Sequence, residues 1–103
     1  MVGEFPDIFK TLPLFDGDFD AHKLKAKNCD VLFASYPAKT YIPAHRHDTD
    51  NYGVITRGEL ILTVRGITER YNVGDWYHIE ANVEHSAKFD MDTYLIEFWF
   101  TTF

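Results

Sequence analysis

A succession of short segments rich in β-branched and aromatic residues runs from residue 21 to the end of the chain, and turn residues separate them. Such segments predict strands, because these side chains fit a pleated, half-buried surface. Many short strands at regular spacing, with no segment that reads as a long helix, predict an all-β sandwich or barrel. The predicted strands are 21–25, 29–36, 40–44, 52–56, 60–65, 68–72, 76–80, 84–89 and 94–101.

Three of the turns have a physical explanation in their residues. Arg57-Gly58 and Gly66 each separate two apolar runs, and glycine supplies the positive φ that a tight hairpin needs. Asn82 precedes the segment 84–89, and asparagine tolerates a left-handed backbone better than other non-glycine residues. We therefore expect tight turns at these three places.

The length of 103 residues predicts a single domain, residues 1–103, with an N-terminal arm (1–20) and a β-barrel (21–103). Apolar residues of the arm recur at the spacing of one or two helical turns: Phe5, Ile8, Phe9 and Leu12. This pattern predicts an arm that packs on the barrel or on a partner subunit.

Composition and charge exclude several classes of protein. A hydrophobic content of 46% suits a packed chain rather than a disordered one, and a net charge of −6 argues against nucleic acid or an anionic membrane as partner. No apolar run is long enough to cross a bilayer, and no secretory leader pattern stands at the start. Cys29 is the only cysteine, so an internal disulfide is excluded and a cytoplasmic location is predicted.

His45 and His47 are the first candidate functional residues. If the backbone there is extended, side chains two residues apart leave on the same face, and two imidazoles can hold one divalent metal. Pro43 excludes a helix interior at this point, which favours the extended form. The alternative is a pair of exposed histidines at the end of a strand.

The positions of His45, His47, Gly58, Gly74 and His85 resemble the two sequence motifs of the cupin superfamily. The two motifs and the segment between them cover about half of the chain. The resemblance implies a double-stranded β-helix, the jelly-roll or cupin barrel, with a metal held at its centre by the three histidines. The chain departs from the motifs at Lys39, Asn51, Glu80, Asn82 and Phe89.

The most consequential departure is Asn51, which stands where the motif has a glutamate ligand. An amide oxygen is neutral and a weaker donor, so Asn51 is at most a weak fourth ligand. Three neutral imidazoles leave the full 2+ charge on a metal, which favours an anionic ligand. Such a site resembles that of thiol dioxygenases and other cupin oxygenases, and it suits iron(II), zinc, nickel or copper better than manganese.

Strand alternation suggests which residues form a pocket beside the histidines. Asn51, Gly53 and Ile55 share one face, and Gly53 either leaves space for a ligand or permits strand bending. Tyr41 has the parity of the histidine pair, and Phe89 that of His85, so both are predicted to line the pocket.

Acid–base candidates are less well defined. Asp48 and Asp50 lie between His47 and Asn51. The alternatives for each are to orient a histidine ligand, to accept a proton in catalysis, to replace the missing carboxylate ligand, or to lie in a solvated turn. His78 is a fallback metal ligand. Glu97 and Trp99 share one face of the last strand, which is either the polar exterior or a pocket wall.

These features predict a small metal-binding protein that takes a small anionic or chelating organic molecule at a mononuclear centre, of dioxygenase or isomerase type. The alternatives are a non-catalytic sensor or storage module, with or without metal, and a structural barrel whose histidines are remnants. Fold alone does not choose between these functions. A homodimer is also expected, through the apolar segments 5–12 and 94–103.

Overall fold

The structure is a computed structural model that describes residues 5–17 and 19–102. Within these residues, no helix has the length and apolar character needed to cross a bilayer. In the described part of the chain, nine strands follow one 3₁₀ helix, Asp7–Thr11. The strands are β1 (Asp20–Ala26), β2 (Cys29–Tyr36), β3 (Thr40–His45), β4 (Thr49–Arg57), β5 (Glu59–Val64), β6 (Ile67–Asn72), β7 (Trp76–Ile79), β8 (His85–Phe89) and β9 (Thr93–Thr101).

The strands form two antiparallel sheets, a five-stranded sheet in the order β1-β2-β9-β4-β7 and a four-stranded sheet in the order β3-β8-β5-β6. Apart from the consecutive pairs β1-β2 and β5-β6, neighbouring strands come from distant parts of the chain, as in a jelly roll. The predicted all-β fold, a double-stranded β-helix, is confirmed. All nine predicted strands are present, and the largest difference is β4, which begins at Thr49 because Thr49 pairs with Thr101 of β9.

The core lies between the two sheets and follows the alternation of the strands. Along β4, Asn51, Gly53 and Ile55 are buried while their neighbours are more exposed, so the predicted shared face is the inner one. Leu32, Leu95 and Phe89 complete the most deeply buried part of this core. Burying each large apolar side chain contributes about 1.5–3 kcal/mol to stability.

The predicted tight turns have the expected backbone. Gly58 and Gly66 have φ of 84° and 78°, and Asn82 has φ of 65°. At Gly58 a Cβ atom would also lie 2.4 Å from the carbonyl oxygen of Asp92, so this turn requires glycine for space as well as for conformation.

The N-terminal segment packs on the outer face of the five-stranded sheet. The ring of Phe9 lies 4.5 Å from that of Phe33, and the ring of Phe5 lies 5.6 Å from that of Tyr94. The helical turns predicted here are the 3₁₀ helix Asp7–Thr11. Residues 1–4 and 18 of the predicted arm, and residue 103 of the predicted dimer contact, lie outside the described residues.

Candidate metal centre

Two of the candidate histidines are paired across neighbouring strands. His45 is the last residue of β3 and His85 the first of β8, and the two are register partners. The register shifts between Ile42 and His45, a stretch that contains Pro43, whose nitrogen cannot donate to the ladder. After this register shift the imidazole rings of His45 and His85 lie next to each other, with their centroids 4.3 Å apart.

His47 follows the end of β3 and completes the cluster. Its Nε2 atom lies 3.0 Å from Nε2 of His45, and its ring centroid lies 5.2 Å from that of His85. One ligand atom from each of the three histidines lies within 4.8 Å of the other two. Two nitrogens bound to one ion at about 2.0–2.1 Å each are about 3 Å apart, so the donor set fits a single divalent transition metal.

Backbone carbonyls fix which nitrogen of two rings carries the proton. Nδ1 of His45 lies 2.7 Å from the carbonyl oxygen of Pro43, and Nδ1 of His85 lies 3.0 Å from that of Val83. A carbonyl only accepts, so each Nδ1 donates and each Nε2 keeps its lone pair. Hydrogen bonds of this kind orient histidine ligands and make them better donors.

The electrostatics of the cluster favour neutral imidazoles. Burial, with a further contribution from His45 and His85, lowers the pKa of His47 to about 4. Burial likewise lowers the pKa of His85 below its ordinary value. Because a metal binds the neutral ring, both residues are in the binding form near neutral pH without losing a proton.

The three histidines line a cavity of about 340 Å³ between the two sheets. Most of its wall is apolar, and Phe15 and Phe19 of the N-terminal segment lie at one side of it, in contact with Trp99. The polar or titratable groups of the wall are His45, His47, His85, Asn51, Tyr36, Tyr77, Glu97 and Trp99.

Glu97 is buried in this wall, which resolves the open question of which way its strand faces. The Tyr36 hydroxyl donates to its Oε2 atom at 2.5 Å, and Nε1 of Trp99 donates to its Oε1 atom at 3.0 Å. Burial raises the pKa of Glu97 above its ordinary value, although the two hydrogen bonds oppose this. The sequence signal for Glu97 was its shared parity with Trp99, which does not tell inside from outside.

Trp99 connects Glu97 to the histidine cluster. Its ring lies 4.6 Å from the ring of His47, at an interplanar angle of 40°. The same indole donates to Glu97, so one side chain touches both the metal-site candidate and the buried carboxyl group. Glu97 and Trp99, which were predicted to share one face of β9, therefore both line the cavity.

Asn51 and Phe89 line the cavity beside the histidines. Asn51 is 4% exposed, and its Oδ1 atom accepts a hydrogen bond of 2.6 Å from the Thr49 hydroxyl. Its amide oxygen thus already has one partner, which is consistent with a weak ligand at most. Phe89 stacks on the ring of Tyr36 at 4.1 Å and forms part of the apolar wall.

Three predicted pocket residues occupy other positions. A Cβ atom on Gly53 would lie 2.2 Å from the ring of Tyr77, so that ring already fills the space predicted for a ligand. Ile55 is buried in the core without lining the cavity. Tyr41 is 63% exposed, because the register shift after Ile42 breaks its parity with the histidines.

The two aspartates also lie away from the cavity. Asp48 is exposed, and Asp50 contacts Nε2 of His78 at 2.9 Å on the outer face of the five-stranded sheet, where the ring of His78 stacks on Tyr52 at 4.2 Å. Neither aspartate lines the cavity, so their catalytic role stays a prediction without support from the geometry, and His78 is not part of the three-histidine cluster. Among the described residues, Glu97 is the one carboxylic acid in the cavity wall.

Comparison with known proteins agrees with this architecture. The family model described as the cupin domain (Cupin_2) matches residues 32–100. A search of curated protein sequences found no match.

Solved structures resemble the whole fold at low sequence identity. An RmlC-like cupin from Shewanella frigidimarina is 17% identical with a TM-score of 0.78, covering 90% of this chain and 86% of that one. KdgF from Halomonas sp. is 14% identical with a TM-score of 0.75, covering 88% and 87%. A conserved protein of unknown function from Streptococcus pyogenes is 14% identical with a TM-score of 0.77, covering 97% and 89%. Identities this low support the fold alone.

Proposed function

The chain belongs to the cupin domain family, and from that premise we propose that His45, His47 and His85 bind one divalent transition metal and that a small anionic or chelating organic molecule binds beside it. The observation that carries the proposal is the convergence of three ligand atoms within 4.8 Å on a cavity wall. The hydrogen bonds from Nδ1 of His45 and His85 support it, because they leave Nε2 as the donor atom.

The chemistry of the donor set points to the kind of ligand. Three neutral imidazoles cancel none of the ion's 2+ charge, and the amide of Asn51, as a weak fourth ligand, is neutral too. The full positive charge therefore favours an anionic ligand. A cavity of about 340 Å³ lies at the small end of ligand sites, and its apolar wall suits a small organic body with an anionic or chelating end.

We propose iron(II), zinc, nickel or copper as the bound ion, with manganese less suited because it prefers oxygen donors. When bound, such an ion supplies Lewis acidity, which serves either a dioxygenase-type or an isomerase-type reaction. The second candidate function is non-catalytic binding in a sensor or storage role. The neutral residue Asn51 at the motif's carboxylate position favours that role, because it removes one charged ligand.

Metal binding is tested by adding Zn²⁺, Fe²⁺, Ni²⁺, Cu²⁺ and Mn²⁺ separately to metal-free protein and measuring bound metal by elemental analysis after desalting. We expect one equivalent for the preferred ion in the wild type. His45→Ala, His47→Ala and His85→Ala should each lose stoichiometric binding, whereas the control His78→Ala, on the outer face, should keep it. Equal binding by all four variants would contradict the proposed centre.

We further propose that the protein is a homodimer. The predicted contact through segment 5–12 is less supported, since Phe5 and Phe9 pack on the chain's own Phe33. Aromatic residues on the outer face of the five-stranded sheet are a stronger candidate. Tyr52, Trp76 and Phe100 are exposed there, and they share a shallow depression with the half-buried Phe98 and with Asp50. A cytoplasmic location stays a prediction from the single cysteine.

A further inference from the structure

A buried carboxyl group and a three-histidine cluster line the same cavity, and the carboxyl group is not explained by metal binding. We propose that Glu97 is the acid–base residue of a proton transfer on an enolisable carbonyl compound whose oxygen is bound at the three-histidine centre. The inference rests on the proposed metal site and deepens it, because it selects proton transfer over oxygen chemistry and names the ligand class.

The position of Glu97 is fixed from two sides. Tyr36 of β2 donates to Oε2 and Trp99 of β9 donates to Oε1, at 2.5 and 3.0 Å. Both donors are rigid aromatic side chains whose rings pack against other rings, Tyr36 on Phe89 and Trp99 on His47. Each carboxylate oxygen accepts more than one hydrogen bond, so both retain capacity toward a ligand in the cavity.

Of the titratable side chains in the cavity wall, Glu97 is the one best suited to accept and donate a proton. The three histidines are committed to the proposed ion, and burial raises the pKa of Tyr36 and of Tyr77 well above their ordinary value. Glu97 also has a raised pKa from burial, which brings a carboxylic acid closer to neutral pH, where acid–base catalysis is most efficient.

The surroundings of Glu97 suit transfer of a proton from carbon. The ring of Tyr77 fills the space beside Gly53, the register partner of Glu97, and Glu97 itself is only 7% exposed. A carboxylate in an apolar wall is a stronger base than one in water, since burial disfavours its charged form. The ligand class follows: a small carbonyl compound with a hydrogen on the carbon next to the carbonyl.

The proposed step balances without an oxidant or a reductant. The ionised Glu97 accepts the proton as the ligand's C–H bond breaks, and the electron pair stays on the ligand as its enolate. Glu97 then donates this proton to a neighbouring atom of the enolate and returns to its ionised form, which gives an isomer. If the Glu97 carboxyl group first exchanges its proton with solvent and then protonates the original carbon, the net result is exchange of that hydrogen with solvent.

The test uses metal-loaded protein in D₂O with pyruvate, 2-oxoglutarate and dihydroxyacetone as probes, and proton NMR follows the loss of the C–H signals. We expect the wild type to accelerate exchange of at least one probe, and Glu97→Gln to lose about 10²–10⁴-fold of that rate while binding the same amount of metal. The controls Asp48→Asn and Asp50→Asn should exchange at the wild-type rate. Exchange by Glu97→Gln at the wild-type rate, or no exchange of any probe by the wild type, would overturn the inference.

A second readout does not depend on turnover. Oxalate mimics the enolate of pyruvate, and its binding to metal-loaded protein can be measured by calorimetry in two buffers of different ionisation enthalpy. We expect binding to the wild type to take up a proton, because an ionised Glu97 repels the dianion, and binding to Glu97→Gln to take up less. Equal proton uptake in both proteins would contradict a role for Glu97 at the ligand.

Two further comparisons separate the possible failures. If the wild type binds no metal, the proposed metal site is wrong and the inference falls with it. If Glu97→Gln binds metal and oxalate normally and exchanges the probes at the wild-type rate, the inference alone is wrong. If Glu97→Gln does not fold, Glu97→Asp replaces it, since this variant keeps the acid but withdraws it by one methylene. Glu97→Asp should retain metal and lose exchange, and retained exchange would count against the inference.

Discussion

His45 and His85 are register partners on antiparallel strands, and their imidazole centroids lie 4.3 Å apart. The last residue of β3 thus meets the first residue of β8 at the edge of the cavity. The hydrogen-bonded pairing of the two strands holds these two candidate ligands, whereas His47 lies beyond the strand and reaches the cluster from a loop. Two of the three candidate ligands are therefore held in place by the sheet, and the third, His47, is held by a loop.

Metal-free protein should become less stable as the pH falls from about 6.5 to about 4. The pKa of His47 is lowered from 6.5 to about 4 in the fold, so in this range the unfolded chain binds a proton that the folded chain does not. The stability is complete above the unfolded pKa and is lost as the pH falls toward the folded one. Urea unfolding at a series of pH values measures the effect.

His47→Gln should make the loss of stability toward acid pH shallower, because it removes the histidine whose pKa is lowered to about 4. The pKa of His85 is also lowered, so part of the loss should remain. The control His78→Gln, on the outer face, should lose stability toward acid pH as the wild type does. If the free energy of unfolding falls equally steeply with pH in His47→Gln and in the wild type, groups other than His47 cause the effect.

Glu97 should act in the opposite direction at higher pH. Its pKa is raised above 4.5 in the fold, so the folded chain binds more protons than the unfolded chain between the two values. This contribution is present below 4.5 and is lost as the pH rises through the raised pKa. Metal-free Glu97→Gln should therefore gain stability relative to the wild type as the pH rises above 4.5 through the raised pKa of Glu97. The same urea series measures this, and a stability difference that does not change with pH would contradict it.

Copper binding should quench the fluorescence of one of the two tryptophans. The ring of Trp99 lies 4.6 Å from that of His47, whereas Trp76 is 59% exposed on the outer face. With Cu²⁺, Trp76→Phe should lose most of its emission, because Trp99 alone remains, and Trp99→Phe should lose little. His47→Ala should abolish the quenching in the Trp76→Phe background, and quenching that persists there would place the copper elsewhere.

Gly53→Ala should destabilise the protein by about 1–3 kcal/mol, the usual cost of overpacking a core. The added Cβ atom would lie 2.2 Å from the Tyr77 ring, which has to move. Tyr77→Leu shortens that side chain, so the double variant should lose less stability than the sum of the two single ones. Additive losses in urea unfolding would indicate that the two residues do not compete for one space.

The proposed homodimer predicts that a charge on the outer aromatic surface separates the subunits. Trp76→Glu should shift the protein toward monomer in sedimentation velocity, because it buries a charge in an apolar contact. Ile8→Glu is the matched control, since Ile8 is also exposed, at 70%, but lies on the N-terminal helix. Dissociation by Ile8→Glu and not by Trp76→Glu would favour the N-terminal segment instead.

Strand alternation predicted which residues of this chain share a face, and the structure agrees for β4, β7, β8 and β9. Alternation failed at Tyr41, because the register shift between Ile42 and His45 changes the parity. It also failed to reveal the start of β4, where Thr49 and Asp50 are polar and become strand residues by pairing with β9. A pattern in one segment carries no information about the strand beside it.

The sequence by itself determined the strands, the tight turns and the three histidines that meet, because side-chain period, backbone preference and motif spacing are properties of local segments. Only the tertiary structure decided that Glu97 faces the cavity, that Tyr77 fills the space beside Gly53, and that Asp50 lies outside with His78. The physical reason is that a residue's burial and charge environment depend on which strands become its neighbours, and those neighbours come from distant parts of the chain.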